Sequence, residues 1–236
     1  MHVFYTPDID TCPELPEEEA GHCLRVLRLG VGEEVMLTDG KGMFHKARIS
    51  SIAGKRCRVE VLKSWRQQPF WNGRFHLAIA PTKNIDRMEW MAEKATEIGF
   101  DRLSFLNCRF SERKVIKTER IEKIVVAAVK QSLKAYKPVV DGMEEFRSFV
   151  RRSDLPPQRY IAHCYEGRKP LLKHALKVGE DAVVLIGPEG DFSPEEVQWA
   201  EEAGFISISL GRSRLRTETA GLEAVFTFNF LNQQEE

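Results

Sequence analysis

Two loops hold the glycines and charged residues with which this chain could do chemistry. The first, Gly187-Pro188-Glu189-Gly190, follows the continuous apolar run Ala182, Val183, Val184, Leu185, Ile186 and precedes Ser193-Pro194-Glu195-Glu196. The second, Arg212 to Thr219, follows Phe205, Ile206, Ile208, Leu210 and Gly211, and concentrates Arg212, Arg214, Arg216 and Glu218. Glycines let backbone amides and carbonyls approach a ligand directly, and guanidinium groups beside a carboxylate can handle charge and protons on a polar substrate. Either loop alone reads more plainly as a connector in which glycine supplies turn geometry. Two in succession, the second with more charge than a tight connector requires, favour a ligand site.

The elements around these loops place them at strand ends. A run as apolar as 182 to 186 is a strand covered on both faces, which belongs in a parallel sheet. Ser193-Pro194 with Glu196 starts a helix through an N-cap serine, a first-turn proline and a capping-box glutamate. Gly204 ends that helix, 205 to 210 is a second strand, and an apolar helix follows from Ala220 through Leu222, Ala224, Val225, Phe226 and Phe228 to Leu231. Upstream, RFHLAIA, a helix from Asp86 to Ile98 closed by Gly99, DRLSFLN, a helix from about Thr118 to Leu133 and RYIAHCY continue the alternation of strand and helix that indicates a parallel α/β sheet. The cleft then lies at three strand ends, near Cys164-Tyr165, Ile186-Gly187 and Leu210-Gly211. Met88, Met91, Ala92, Ala95 and Ile98 share one helix face and read as core.

Residues before 67 have a different rhythm. EVMLTD, MFHKARISSI and RCRVEVLKSW read as short strands separated by Gly40-Lys41-Gly42 and Gly54-Lys55, a half-buried antiparallel meander closing as a small barrel behind a helix from about Glu17 to Leu27. Gln67 to Gly73 reads as the linker, which sets the expected domains at 1–70 and 71–236.

Other chemistries lack their residues. There is no Walker loop, no complete G-x-G-x-x-G after a strand, no H-E-x-x-H and no nucleophile elbow. His163 and Cys164 are neighbours on a strand, point to opposite faces and cannot work as base and nucleophile. Five widely spaced cysteines without a C-x-x-C pair argue for reduced thiols, with neither disulfides nor a metal site. No apolar run approaches the ~20 residues of a membrane span and the first residues lack signal-peptide character, so a cytoplasmic, non-membrane protein is expected. Formal charge is zero, 35 basic against 35 acidic residues, yet residues 22–66 hold ten basic and four acidic residues and 102–137 hold ten and three. Two such positive blocks could meet a phosphate backbone, although charge runs are commonly just solvated faces.

LIGPEGDFSPEEV followed by ISLGRSRLRTETA resembles the paired signature of the RsmE-type RNA methyltransferases, in the SPOUT (trefoil-knot) superfamily. FYTP near the start, HCLRVLR at 22–28, DRMEWMAEKATEIGFDRL at 86–103 and VVAAVKQSLKAYKP at 125–138 resemble family blocks in the family's order, so the resemblance covers essentially the whole chain. Asp191 departs where the family often has a third loop glycine, as do Ser213-Arg214 and Lys134. The resemblance implies a trefoil-knotted α/β methyltransferase domain preceded by a PUA-like RNA-binding β-barrel domain. It implies a homodimer, for which the apolar terminal helix is a plausible interface, and methylation of ring N3 of a uridine in small-subunit (16S) ribosomal RNA by S-adenosylmethionine. Rival readings are a non-catalytic RNA-binding protein with an inactive methyltransferase-like domain and a same-fold enzyme modifying another RNA position.

Carried onto this sequence, the cofactor positions are Cys164, Leu185, Ile186, Gly187, Gly190, Leu210, Leu215 and Thr217, with adenine against Leu185, Leu210 and Leu215. Arg216 is the candidate to stabilise charge on the uracil carbonyls. Glu218 either orients Arg216, accepts the N3 proton or makes a merely structural ion pair with Arg216. His22, Arg25, Arg28, Arg109 and Arg113, with Lys114, are the RNA-contact candidates, and Phe110, Tyr165 or Phe192 could stack a base, Phe192 reading better as core.

Overall fold

Charged and apolar residues alternating before residue 67 produce a four-stranded sheet of β1 (Val3–Tyr5), β2 (Glu34–Thr38), β3 (Met43–Ala53) and β4 (Arg56–Arg66), in that order. Cys57 and Val59 turn inward while Arg56, Arg58 and Glu60 face out, as the period of two requires. Gly54 and Lys55 form the two-residue turn, with Gly54 at φ 62°, the left-handed conformation such a tight hairpin needs. β1 pairs parallel to β2, so the sheet is not wholly the antiparallel meander expected. Three residues were too short to show a period. Beyond the far edge, Leu15 N–H donates to the Cys57 carbonyl and Val59 N–H to that of Pro13. The expected single helix is α1 (Glu17–Gly21) running into a π-helical turn, His22–Val26. Phe4, Leu37, Ile49, Cys23 and Cys57 fill the core beneath.

The computed structural model describes residues 2–234. They form two compact units, one of residues up to Gln68 with Val126–Lys137, the other of Pro69–Val125 with Pro138 onward. The second unit contains β5 (Phe75–Ile79), α2 (Ile85–Ile98), β6 (Arg102–Asn107), the start of α3 (Thr118–Gln131), β7 (Val139–Glu145), α4 (Phe146–Phe149), β8 (Gln158–Ala162), α5 (Leu172–Ala175), β9 (Ala182–Ile186), α6 (Pro194–Glu202), β10 (Ile206–Ile208) and α7 (Thr217–Asn232). Its six strands are all parallel, in the order β10-β8-β9-β5-β6-β7. One face packs on α4 and α6 through Val183, Leu185, Ile161, Phe146, Phe192 and Val197. On the other face lie α2 and α7. A Cβ on Gly221 of α7 would stand 3.0 Å from Ile79 and 3.7 Å from Met91, so this glycine sets how closely that helix approaches the sheet. The parallel order carries the carboxyl ends of β8, β9 and β10 to one edge of the sheet, side by side.

Candidate functional site

Those three strand ends open into a cavity of about 1050 Å³, at the upper limit for ligand pockets. Its wall runs through Ala162–Tyr165 after β8, Ile186–Asp191 after β9, and Ile208–Arg216 after β10 into the first residues of α7, with Lys169 and Arg87 of α2 completing it.

The β9 loop is held by its own backbone and three carboxylates. A Cβ on Gly187 would meet Phe192 N at 3.1 Å, so the close approach that excludes a side chain there is the loop's own. Glu189 Oε1 accepts from Lys83 N–H at 2.9 Å. Asp191 sits at φ 66°, the left-handed region a glycine would occupy without strain. Its two oxygens accept from Cys164 N–H and Phe192 N–H, each at 2.8 Å, which ties the β8 end to the β9 loop. The capping box is present: Glu196 N–H donates to Ser193 Oγ and Ser193 N–H to Glu196 Oε2 at 2.7 Å. Glu196 Oε1 also takes Arg109 N–H at 2.8 Å.

The β8 end is tied by a cation. Lys169 Nζ donates to the carbonyls of His163 and Tyr165, both at 2.6 Å, and lies 3.2 Å from His163 Nδ1. Ser207 gives its hydroxyl proton to Glu201, so its oxygen accepts from His163 Nε2–H at 3.0 Å and Nδ1 is left to accept from Lys169. Burial and then the Lys169 charge hold the His163 imidazole below its usual range. Burial and the Asp191 carboxylate push the Cys164 thiol up. A neutral imidazole locked by lysine beside a protonated thiol is no nucleophile and base pair.

The β10 loop reaches α7 earlier than expected, since the helix starts at Thr217. Arg216 is therefore its N-cap residue, without a side-chain cap bond, and Glu218 lies in its first turn. Thr217 and Glu218 are buried, whereas Arg212, Arg214 and Arg216 are exposed. Glu218 does not pair with Arg216. Its Oε1 stands 3.7 Å from Arg87 Nη1, and its Oε2 is buried without a hydrogen-bond partner. Arg87 escaped the sequence reading, as did the tie made by Asp191. The only signal for Arg87 lay in the block DRMEWMAEKATEIGFDRL, with nothing to single out its arginine.

The structure thus gathers Cys164, Ile186, Gly187, Gly190, Leu210, Leu215, Arg216, Thr217 and Glu218 around one cavity. Leu185 stands apart. It is fully buried among Ile161, Val183 and Phe192, because the strand turns alternate residues to opposite faces and only the last, Ile186, reaches the mouth. Phe192 is core as well, and Tyr165 donates its hydroxyl to the Phe192 carbonyl at 2.6 Å. Phe110 is 45% exposed and packs beside Gly190. His22, Arg25 and Arg28 are exposed on the first unit. In the second unit Arg109 reaches Glu195 at 3.1 Å, while Arg113 donates its guanidinium to the carbonyls of Thr82 and Lys83. Among the described residues no cluster of potential metal ligands occurs, and no helix is long and apolar enough to cross a membrane.

The backbone-built, glycine-lined cavity has counterparts in known proteins. Residues 70–229 match the family model described as the RNA methyltransferase domain, and residues 15–62 match the RNA methyltransferase PUA domain. The ribosomal RNA small subunit methyltransferase E of Aquifex aeolicus is 32% identical over 95% of this chain and 97% of its own. A crystal structure of a probable rRNA-methyltransferase from Porphyromonas gingivalis is 45% identical and superposes with a TM-score of 0.92 over 98% of both chains. The ribosomal RNA small subunit methyltransferase E of Neisseria gonorrhoeae, crystallised with S-adenosyl methionine, is 28% identical with a TM-score of 0.85, again over 98% of both chains. With a parallel-sheet fold, a cavity at three strand ends and family models over both parts of the sequence, this chain belongs to the RsmE-type RNA methyltransferases.

Proposed function

We propose that the protein uses S-adenosylmethionine to methylate ring N3 of a uridine in small-subunit (16S) ribosomal RNA, in the cytoplasm. The observation that carries this reading is the cavity at the ends of β8, β9 and β10, where glycine-rich backbone and the apolar Ile186, Leu210 and Leu215 share the wall with charged side chains. Such a wall fits a cofactor with an adenine, which Ile186, Leu210 and Leu215 can cover, and with an amino acid tail that main-chain groups can bind. When bound, S-adenosylmethionine supplies an electrophilic methyl group: the N3 lone pair forms the new bond to carbon, the carbon–sulfur pair returns to sulfur, and the N3 proton leaves to base or solvent.

The remaining work falls to the chain's own residues. N3 lies on the Watson–Crick edge, so the base must be unpaired and presented to the cavity. Arg216 at the rim stabilises charge that spreads onto the ring carbonyls, and Glu218 in the cavity wall takes up the N3 proton. Residues 1–70, the PUA-like part, present His22, Arg25 and Arg28 to RNA phosphates, and Arg109 adds a contact on the second unit. A homodimer forms through the outward face of α7, where Phe226 and Phe230 are 52% and 63% exposed with their rings stacked.

Mass spectrometry of ribosomal RNA from cells lacking the protein tests the reading. The small-subunit RNA should lose one 3-methyluridine that the restored gene returns. An unchanged set of methyluridines refutes it, and failure of the pure protein to bind S-adenosylmethionine in calorimetry would favour a non-catalytic RNA-binding role.

A further inference from the structure

We propose that Arg87 and Glu218 form a pair that reads the imide edge of the target uracil, Arg87 donating to a ring carbonyl while Glu218 Oε2 accepts from N3–H. This rests on the uridine-N3 reading above and names a residue outside the two signature loops. The first observation is an orphan. Glu218 is only 6% exposed, lines the cavity, and leaves Oε2 with no donor although Arg87 Nη1 is 3.7 Å from Oε1. An unmade bond to a buried carboxylate oxygen costs more than a typical hydrogen bond returns, which is tolerable where a ligand completes the set.

The second observation is the form of the pair. Arg87 has a 39% exposed side chain and five N–H donors, so contact with Glu218 leaves it able to donate into the cavity. A donor beside an acceptor complements the adjacent C=O and N3–H of uracil. Cytosine presents an amino donor beside a bare N3 at the same place and would set donor against donor and lone pair against carboxylate. The pair therefore selects uridine as well as orienting it.

Rigidity distinguishes Arg87 from the loop arginines. α2 is capped by Asn84 Oδ1, which accepts from Asp86 N–H at 3.0 Å, and is anchored by buried Met88, Met91 and Ala92. A guanidinium held there meets the developing carbonyl charge with little reorganisation. During transfer the N3 proton passes to the Glu218 carboxylate, while N3 gains the methyl carbon.

The test compares wild type, R87A, R87K and E218Q, the last two preserving bulk, with small-subunit RNA carrying the target uridine or a cytidine in its place. S-adenosylmethionine affinity should stay within about threefold in every variant, while single-turnover methylation falls at least about a hundredfold in R87A and E218Q. Added guanidinium ion should partly restore R87A and leave E218Q unchanged. Wild type should bind uridine-bearing RNA about tenfold or more tightly than the cytidine form, and R87A should lose that preference. Parallel loss of cofactor affinity would show that the pair serves the cofactor's amino acid tail and overturn the proposal. So would an R87A enzyme with wild-type turnover or an intact preference for uridine. A wild-type protein that methylates no uridine overturns the proposed function itself, a result distinct from failure of the pair.

Discussion

Asp191 holds a left-handed backbone conformation and, with the same side chain, fastens two strand ends, and substitution separates these roles. Removing the carboxylate strips acceptors from Cys164 N–H and Phe192 N–H. Hydrogen bonds to a charged group contribute about 1.5–3 kcal/mol each. Both here are partly open to solvent, so the lower end applies and the two together come to about 2–3 kcal/mol. At φ 66° an alanine adds about 1 kcal/mol of backbone strain that glycine avoids. Asparagine tolerates the conformation and keeps one acceptor oxygen. D191N should then cost about 1–2 kcal/mol, D191G about 2–3 and D191A about 3–4. Urea denaturation followed by tryptophan fluorescence measures the series, Trp199 on α6 packing against the core cluster that holds Phe192. The same order should appear in S-adenosylmethionine affinity, since Cys164 and Gly190 line the cavity that the tie shapes. Equal losses for D191G and D191A would refute the strain argument. Losses under about 0.5 kcal/mol throughout, the scale of an ordinary surface substitution, would refute the tie.

Arg216→Ala should lower turnover about 10²- to 10³-fold with cofactor affinity within a few-fold, and equal loss of both would move Arg216 to the cofactor. Neutralising Arg25 and Arg28 together should weaken RNA binding and reduce the slope of log affinity against log salt by about 0.7–0.9 per lost phosphate contact; an unaltered slope excludes both from phosphates. Burial, with the Arg102 charge, pushes His76 down to about 3 from an ordinary value of 6.5. Below pH 6.5 the unfolded chain binds a proton that the folded one refuses, so stability falls by about 1.4 kcal/mol per pH unit toward pH 3, with no effect above 6.5. His76→Gln should remove that limb, so unfolding free energies from urea titration, compared at pH 7 and pH 5, should fall about 2 kcal/mol further in wild type. An equal fall in both proteins refutes the assignment.

Elements with a strong period or a clear stop signal were legible. The apolar run of β9, the Ser193 capping box, the Asp86 to Ile98 helix and the Gly54-Lys55 hairpin stand where their local chemistry puts them. What escaped had weak local signal. β7 reads VVDGMEE and lies half exposed on the sheet edge, so tertiary pairing with β6 makes it a strand. The four-residue helices α4 and α5 are too short for a period of 3.6 to register. Strand order is no part of any pattern: nothing local says that β8 lies between β9 and β10.

The site was legible where one loop builds it and opaque where distant segments meet. Backbone-built walls follow from glycines after strands, and Gly187, Gly190 and the β10 loop occupy them. Leu185 lies in the core and not in the cavity wall, because a motif names neighbours in sequence, whereas a strand sends successive side chains to opposite faces. Glu218 reads from the sequence as orienting Arg216, accepting the N3 proton or pairing with Arg216, and the structure gives it Arg87 as its ion-pair partner instead. Arg216, two residues before it, is the natural sequence choice, yet the helix begins between them and turns their side chains apart. That early start carries Glu218 into the buried first turn, under α2, where Arg87 supplies the countercharge that a buried carboxylate requires. The chemistry of Glu218 is thus set by a helix boundary and a distant arginine, and both become visible only once α7 is packed against α2.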